Sequence, residues 1–148
     1  MIQERSAGAI LFYRFNKVIK YLVLHYPAGH WDFAKGNVEK GEDNITAAKR
    51  EINEETGISD LLFFPEFNES IKYNYRRDGK LVEKRVVFFL AESTTDEVKL
   101  SFEHQGYAWL SYTQAFDKVK FNNAKITLNR AQKFLLNAYK KNGSQTKS

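Results

Sequence analysis

The chain of 148 residues contains no cysteine, and this absence excludes disulfide bonds and thiolate metal sites. It also favours a reducing compartment. The first residues, from Met1 to Arg5, lack the basic and then apolar pattern of a secretory signal. No apolar run approaches the roughly 20 residues that a membrane-spanning helix needs. We therefore expect a soluble, cytoplasmic protein with no membrane partner.

Internal repeats, low-complexity blocks and linkers between domains are also missing from the sequence. We predict a single domain over residues 1–140, followed by a polar C-terminal tail over residues 141–148. A chain with 43% hydrophobic and 28% charged residues can bury one substantial core at this length. The formal net charge of +5 is mild, so it is compatible with a phosphate-rich ligand without identifying one.

Segments rich in β-branched and aromatic residues predict strands, and Asp78-Gly79 predicts a tight hairpin turn. The predicted strands cover residues 6–15, 18–25, 61–67, 70–76, 84–91 and 107–110, and residues 30–36 are predicted as a loop. Helices are predicted near residues 43–57, 111–117 and 122–140. The expected buried side chains of the last helix are Ile126, Leu128, Phe134, Leu135 and Tyr139. This order of elements favours an α/β protein with a mixed sheet flanked by helices.

The segment of residues 36–58 is the most informative, because it places several carboxylates on one predicted helix. Positions three and four apart share a helix face, so Glu51 lies beside Glu54 and Glu55. Crowded carboxylates raise one another's pKa unless a cation neutralises them, and their oxygens suit Mg2+ or Mn2+. We predict a divalent cation site here, with Arg50 orienting the carboxylate of Glu54 by charge-assisted hydrogen bonding.

Local signals also predict both ends of this helix. Asp43 or Asn44 can cap its first backbone N–H groups, and Gly57 stands where a left-handed residue would end it. The residues spaced for one buried face are Ile45, Ala48 and Ile52. We therefore expect the acidic cluster to be mounted on a helix whose other side is anchored in the core.

The same segment fits the Nudix box, G-x5-E-x7-R-E-U-x-E-E-x-G-U with U aliphatic, at every specified position. The nine matching residues are Gly36, Glu42, Arg50, Glu51, Ile52, Glu54, Glu55, Gly57 and Ile58. The chain therefore resembles the Nudix hydrolases. The resemblance implies an α/β/α sandwich with a central mixed β-sheet, and metal-dependent hydrolysis of a phosphoanhydride. The implied ligands of the divalent ions are Glu51, Glu54, Glu55 and the backbone carbonyl of Gly36, with Glu42 as a supporting acid.

Two further segments are similar to the animal and archaeal type of diadenosine tetraphosphate hydrolase: H-W-D-F-A-K-G-N-V-E-K-G-E over residues 30–42 and F-E-H-Q-G-Y-A-W-L over residues 102–110. This resemblance implies asymmetric cleavage, here to ATP and AMP. It also implies that Glu103 lies near the metals, as a ligand or as the base that activates water. His104 is left outside the predicted site. Ala34 stands where this family usually has proline, so the loop is less pre-ordered.

Contacts to the substrate are likewise implied by the resemblance. Lys84, which opens a predicted strand, matches a lysine that contacts phosphate in this family, and so do His30 and Lys35 before the box. Tyr75 and Phe121 match two aromatic positions that sandwich a base, and such stacking is typically worth about 1–3 kcal/mol.

Three other functions would use the same box. A Nudix pyrophosphohydrolase acting on the 5′ end of RNA, or on a nucleoside triphosphate, needs the same polyphosphate chemistry. A non-catalytic nucleotide-sensing Nudix module would be expected to lose box glutamates, and all are present here. The leading prediction is a Mg2+-dependent hydrolase of dinucleoside polyphosphates, with Mn2+ as the alternative metal. Its expected partner is a small nucleotide, without a stable nucleic-acid partner.

Overall fold

Seven strands and three helices form the part of the chain that the structure, a computed structural model, describes: residues 1–146, with side chains through Lys140. The strands are β1 (Ile2–Phe15), β2 (Val18–His25), β3 (Trp31–Asp32), β4 (Ala34–Asn37), β5 (Leu61–Arg77), β6 (Lys80–Ser93) and β7 (Gly106–Leu110). The helices are α1 (Asn44–Thr56), α2 (Tyr112–Lys118) and α3 (Asn122–Thr146). Over residues 1–146, no helix is long and apolar enough to cross a bilayer.

The sheet is mixed, because β1 runs parallel to β6 and antiparallel to β2 and β4. The strand order is β3-β2-β1-β6-β5, with β4 also paired to β1 and β7 paired to β2. The parallel ladder runs from Ile2 opposite Val82 to Phe12 opposite Glu92. Parallel neighbours require a crossover connection, and here that connection contains α1. The predicted α/β class is confirmed.

Helices cover both faces of the sheet. Alternate side chains of β1 point to opposite faces, so neighbouring residues of this strand belong to different cores. Ile10 belongs to a core that contains buried residues of α2 and α3, including Leu128. Its neighbour Ala9 belongs to a second core, which contains Ile52 of α1. The predicted α/β/α sandwich is therefore confirmed: α1 packs on one face, and α2 and α3 pack on the other.

Both ends of α1 are capped as predicted. The side chain of Asp43 accepts a hydrogen bond from the backbone N–H of Thr46 at 2.9 Å. Gly57 has a φ of 74°, and its N–H donates to the carbonyl of Asn53 at 2.8 Å. These two caps set the length of the helix, and with it the positions of the glutamates that the helix carries.

One face of α1 is anchored in the core, as expected. The buried residues of the helix are Ala47, Ala48, Ile52, Glu55 and Thr56. Ile45, predicted on this face, is only partly buried. Among these residues Glu55 stands out, because a buried carboxyl group must find a partner or remain neutral.

Two segments differ from the sequence prediction. Residues 30–36, predicted as a loop, contain β3 and most of β4, because these short pieces pair with β2 and β1. The predicted strands 61–67 and 70–76 form the single strand β5, whose register against β6 shifts between Phe63 and Asn68. Pro65, which has no N–H to donate, lies within this irregularity. The tight turn that follows β5 is confirmed, with φ of 52° at Asp78 and 76° at Gly79.

Helix α3 is longer than predicted. It continues to Thr146, so most of the predicted tail is helical, while Lys147 and Ser148 lie outside the described residues. Leu128 is fully buried, but Ile126 is 49% exposed and is not a core residue. The reason is geometric: Ile126 lies two positions before Leu128, about 200° away around the helix axis.

Candidate active site

Arg50 is the centre of a hydrogen-bonded network that orders the acidic residues of the box. Its Nε and Nη2 donate to the carboxylate of Glu42, at 2.8 and 3.0 Å. Its Nη1 donates to Glu51 at 2.9 Å and to Glu54 at 3.2 Å, and Nη2 also reaches the carbonyl of Asn37 at 2.8 Å. The predicted contact between Arg50 and Glu54 is confirmed. The N–H groups of Arg50 are engaged mainly by carboxylates.

The backbone of Gly36 lies directly against the carboxylate of Glu51. A Cβ atom placed on Gly36 would lie 2.0 Å from the Cδ of Glu51, a distance that only glycine avoids. Burial raises the pKa of Glu51 and outweighs the opposite effect of Arg50. The box glycine and the first glutamate of the cluster therefore share one confined space, as a joint metal site would require.

Glu55 carries a buried carboxyl group that is incompletely paired. Its side chain is 10% exposed, and within the described residues its Oε2 makes no hydrogen bond of good geometry, although the backbone of Lys35 contacts the carboxyl group. Burial raises the pKa of Glu55 to about 9, and the charge of Glu51 adds to the effect. A buried carboxylate in such a position needs a positive partner to ionise at neutral pH. The hard oxygens of this cluster fit Mg2+ or Mn2+.

The cluster is not a closed cage. Within the described residues, no three acidic or histidine side chains converge tightly enough to hold an ion by themselves. The guanidinium of Arg50 forms ion pairs with both Glu51 and Glu54, and so offsets part of their negative charge. The side chain of Glu54 is 57% exposed, which leaves it free to turn towards a bound cation.

Glu103 lies on a turn that is attached to the C-terminal end of α1. The N–H of Ser101 donates to the carbonyl of Glu55 at 3.2 Å, and the N–H of His104 closes the turn on Ser101 at 3.2 Å. Glu103 itself is exposed, and its charge contributes to the raised pKa of Glu55. The structure thus brings this distant residue to the acidic cluster of the box.

A cavity of about 330 Å³ opens on the α3 face of the sheet. The residues that line it include Asp32, Lys35, Ile71, Tyr73, Phe88 and Phe121. Lys35 Nζ donates to the buried Asp32 at 2.7 Å, and Phe121 is 46% exposed. The backbone N–H and the charge of Lys35 both act to lower the pKa of Glu55, so one residue of β4 lies close to the cavity and to the acidic cluster. A larger groove of about 500 Å³, beside Arg5 and Arg85, contains none of the acidic residues above.

The structure separates the two predicted stacking residues. Phe121 lines the cavity, but Tyr75 does not, since its hydroxyl donates to the carboxylate of Glu4. Tyr73 lines the cavity instead, two residues earlier on the same strand. Side chains alternate along a strand, so Tyr73 and Tyr75 lie on the same face of β5. This pattern could have indicated Tyr73 as a second candidate from the sequence.

The remaining predicted phosphate contacts lie close to these residues. The ring of His30 stacks on Tyr26 at 5.1 Å and meets the edge of Phe121 at 5.2 Å. Lys84 is partly buried; burial lowers its pKa, and the nearby charge of Lys35 lowers it further. Two mutually repelling ammonium groups make a favourable place for an anionic ligand.

Sequence reasoning did not select Asp32, Tyr73 or His104. Asp32 and His104 sit within the two segments that resemble diadenosine tetraphosphate hydrolases, so their positions were marked but their contacts were not. His104 Nε2 lies 3.5 Å from Glu55 Oε1, although the residues are far apart in sequence. Only the folded chain brings them together.

Comparison with known proteins agrees with this geometry. The family model "NUDIX domain" matches residues 3–130. The rat protein bis(5′-nucleosyl)-tetraphosphatase [asymmetrical] is 36% identical over 143 residues, covering 88% of this chain and 95% of the relative. Its Caenorhabditis elegans counterpart is 31% identical over 136 residues, covering 88% of this chain and 96% of the relative.

Solved structures give the same assignment. The crystal structure of a C. elegans Ap4A hydrolase binary complex matches with a TM-score of 0.81 and 31% identity, over 90% of this chain and 98% of that one. The Escherichia coli dihydroneopterin triphosphate pyrophosphohydrolase, at 18% identity and a TM-score of 0.64, shares the fold. The family model covers most of the chain and the relatives match nearly end to end, so this protein belongs to the Nudix hydrolase family.

Proposed function

We propose that this protein hydrolyses dinucleoside polyphosphates, and that it cleaves diadenosine tetraphosphate asymmetrically to ATP and AMP. The observation that carries the proposal is that Lys35, which lines the cavity, also acts on Glu55 of the acidic cluster, both through its backbone N–H and through its charge. A nucleotide whose base enters the cavity would extend its phosphates over the acidic cluster. Relatives named as asymmetric tetraphosphatases support the substrate class.

Nudix hydrolases generally use divalent metal ions, and we propose Mg2+ for this protein, with Mn2+ as the alternative. The proposed ligands are Glu51, Glu54, Glu55, Glu103 and the carbonyl of Gly36. A bound divalent cation would neutralise phosphate charge and make a coordinated water more acidic. The buried carboxyl group of Glu55 supports this assignment, because within the described residues its Oε2 makes no hydrogen bond of good geometry and no cationic side chain pairs with it.

The other side chains would bind and orient the substrate. Lys35, Lys84 and His30 are suited to hold the phosphate chain: Lys35 lines the cavity, His30 contacts Phe121, and Lys84 is close enough to Lys35 to feel its charge. We propose that Phe121 stacks on one adenine, with Tyr73 as the facing ring. Arg50 would keep the glutamates oriented rather than touch the substrate, because its donors are already used.

The decisive experiment is chromatographic identification of the products from diadenosine tetraphosphate and Mg2+, within a panel that includes triphosphorylated RNA and nucleoside triphosphates. We expect ATP and AMP in equal amounts. A Glu55→Gln preparation, purified in the same way, controls for contaminating hydrolases. Two molecules of ADP, or a wide preference for triphosphorylated RNA, would show that the proposed substrate is wrong. Binding of nucleotides without hydrolysis would indicate a sensing module.

Replacing Glu103 with Gln should lower kcat by about tenfold with little change in KM, if this residue activates water or holds a metal mainly in the transition state. Steady-state kinetics with diadenosine tetraphosphate measures both constants. Glu97→Gln is the matched control, because Glu97 is exposed in the preceding loop. If Glu103→Gln lowers thermal stability but leaves kcat and KM unchanged, Glu103 has a structural role in its loop and no catalytic role.

A further inference from the structure

Next to Glu55 of the acidic cluster lies a histidine that is buried and incompletely paired. The side chain of His104 is 3% exposed, and neither ring nitrogen makes a hydrogen bond of good geometry within the described residues, although a contact with the backbone of His25 partly offsets the lowering of its pKa by burial. Few buried polar groups in native proteins lack partners, so each one calls for an explanation. The nearest candidate partner is Glu55, whose Oε1 lies 3.5 Å from Nε2.

Several contacts hold the ring of His104 in this place. Its backbone N–H is bonded to Ser101 at 3.2 Å, and the N–H of the next residue, Gln105, donates to the carbonyl of His25 at 2.9 Å. The ring meets Tyr26 edge-on, with centroids 4.6 Å apart and planes at 85°. The hydroxyl of Tyr26 in turn donates to the carbonyl of Phe33 at 2.6 Å. The imidazole is therefore aimed at Glu55 by the fold.

We propose that His104 is a positioning residue, whose Nε2–H donates a hydrogen bond to Glu55 Oε1 when a divalent cation engages the carboxylate. This inference rests on the proposed function, since it takes Glu55 to be a metal ligand. Carboxylates that bind metals are commonly held by a further hydrogen bond, which fixes their orientation. The separation of 3.5 Å exceeds that of a good hydrogen bond, about 2.9 Å, so a small movement of either side chain makes the contact.

The proposed bond divides the two oxygens of Glu55 between two partners. Oε1 faces His104, while Oε2, which makes no hydrogen bond of good geometry within the described residues, is left for the cation. A buried carboxylate with a single rotamer loses less freedom on binding metal than one that must be ordered at that moment. His104 would therefore raise metal affinity without touching the metal or the substrate.

Two substitutions test the donor separately from the shape of the ring. His104→Phe keeps a planar ring against Tyr26 but has no N–H, whereas His104→Gln supplies an amide N–H near the position of Nε2. Mn2+ binding, measured from the free-ion signal in electron paramagnetic resonance without nucleotide, should weaken about tenfold in His104→Phe. His104→Gln should stay within about threefold of wild type. His25→Phe is the matched control, and we expect its Mn2+ affinity to be unchanged.

A second measurement needs no variant. In the wild-type protein labelled with 15N, titration with Mg2+ should shift the ring-nitrogen resonances of His104 and leave those of His25 unchanged. Unchanged His104 resonances under saturating Mg2+ would overturn the proposal, as would wild-type Mn2+ affinity in a folded His104→Phe variant. Equal weakening in the Phe and Gln variants would overturn it too. If the wild type itself binds no Mn2+, the metal site of the proposed function fails instead.

Discussion

Replacing Glu55 with Gln is expected to lower the turnover of diadenosine tetraphosphate by at least about 100-fold at saturating Mg2+. The same loss is expected for Glu54→Gln. Either change removes one negative charge from the cluster that would hold the cation, and stabilisation of developing phosphate charge is often the largest catalytic contribution. Steady-state rates over a range of Mg2+ concentrations measure the effect.

Neither substitution should unfold the protein. The side chain of Glu54 is 57% exposed, so its replacement removes no packing. The pKa of Glu55 is raised to about 9 by burial, so a neutral amide at this position matches the protonated state that the cation-free fold already favours. Melting temperatures of the metal-free variants check this expectation. Glu66→Gln, which alters an exposed glutamate on β5, is the matched control. Near-normal turnover in both cluster variants would contradict the metal site.

Substitution of Phe121 or Tyr73 by Ala is expected to raise KM for diadenosine tetraphosphate by about 10- to 100-fold. This range corresponds to the loss of roughly 1–3 kcal/mol of stacking on one adenine. Stacking acts on the ground state and the transition state nearly alike, so kcat should change less than KM. Full saturation curves for each variant separate the two constants.

The choice of control matters here, because aromatic side chains are common in this chain. Phe102→Ala is a suitable one, since this ring is 97% exposed and lines no part of the cavity. Tyr75→Ala gives a direct comparison between the residue inferred from family resemblance and the one that lines the cavity. A larger effect at Tyr75 than at Tyr73 would favour the resemblance over the cavity. Unchanged KM in both Phe121→Ala and Tyr73→Ala would exclude the cavity as the base site.

The features that could be predicted from the sequence are mostly local. The caps of α1 at Asp43 and Gly57 follow from residue type within a few positions, and the structure has both. The contact between Arg50 and Glu54 follows from helical spacing. The additional bonds of Arg50 to Glu42 depend on how the preceding loop returns to the helix, which spacing along a helix does not specify.

The features that sequence reasoning missed depend on long-range register. Strand alternation assigns Tyr73 and Tyr75 to the same face, but their distance from Phe121 depends on how β5 pairs with β6. The contact between His104 and Glu55 requires the turn after residue 100 to fold back on α1. Periodicity carries no information about such contacts, so the pairing of these two buried polar groups could be found only in the folded chain.

The irregular pairing of β5 also bears on how copies of this chain behave towards one another. In the described residues β5 pairs only with β6, so a strand of 17 residues forms an open edge of the sheet. A long regular edge is a template for strand addition by a second molecule, and thus for aggregation. Pro65 and the shifted register interrupt that template, and the exposed charges of Lys72 and Arg76 oppose close approach further along. The bulge thus acts as a barrier to intermolecular β-pairing.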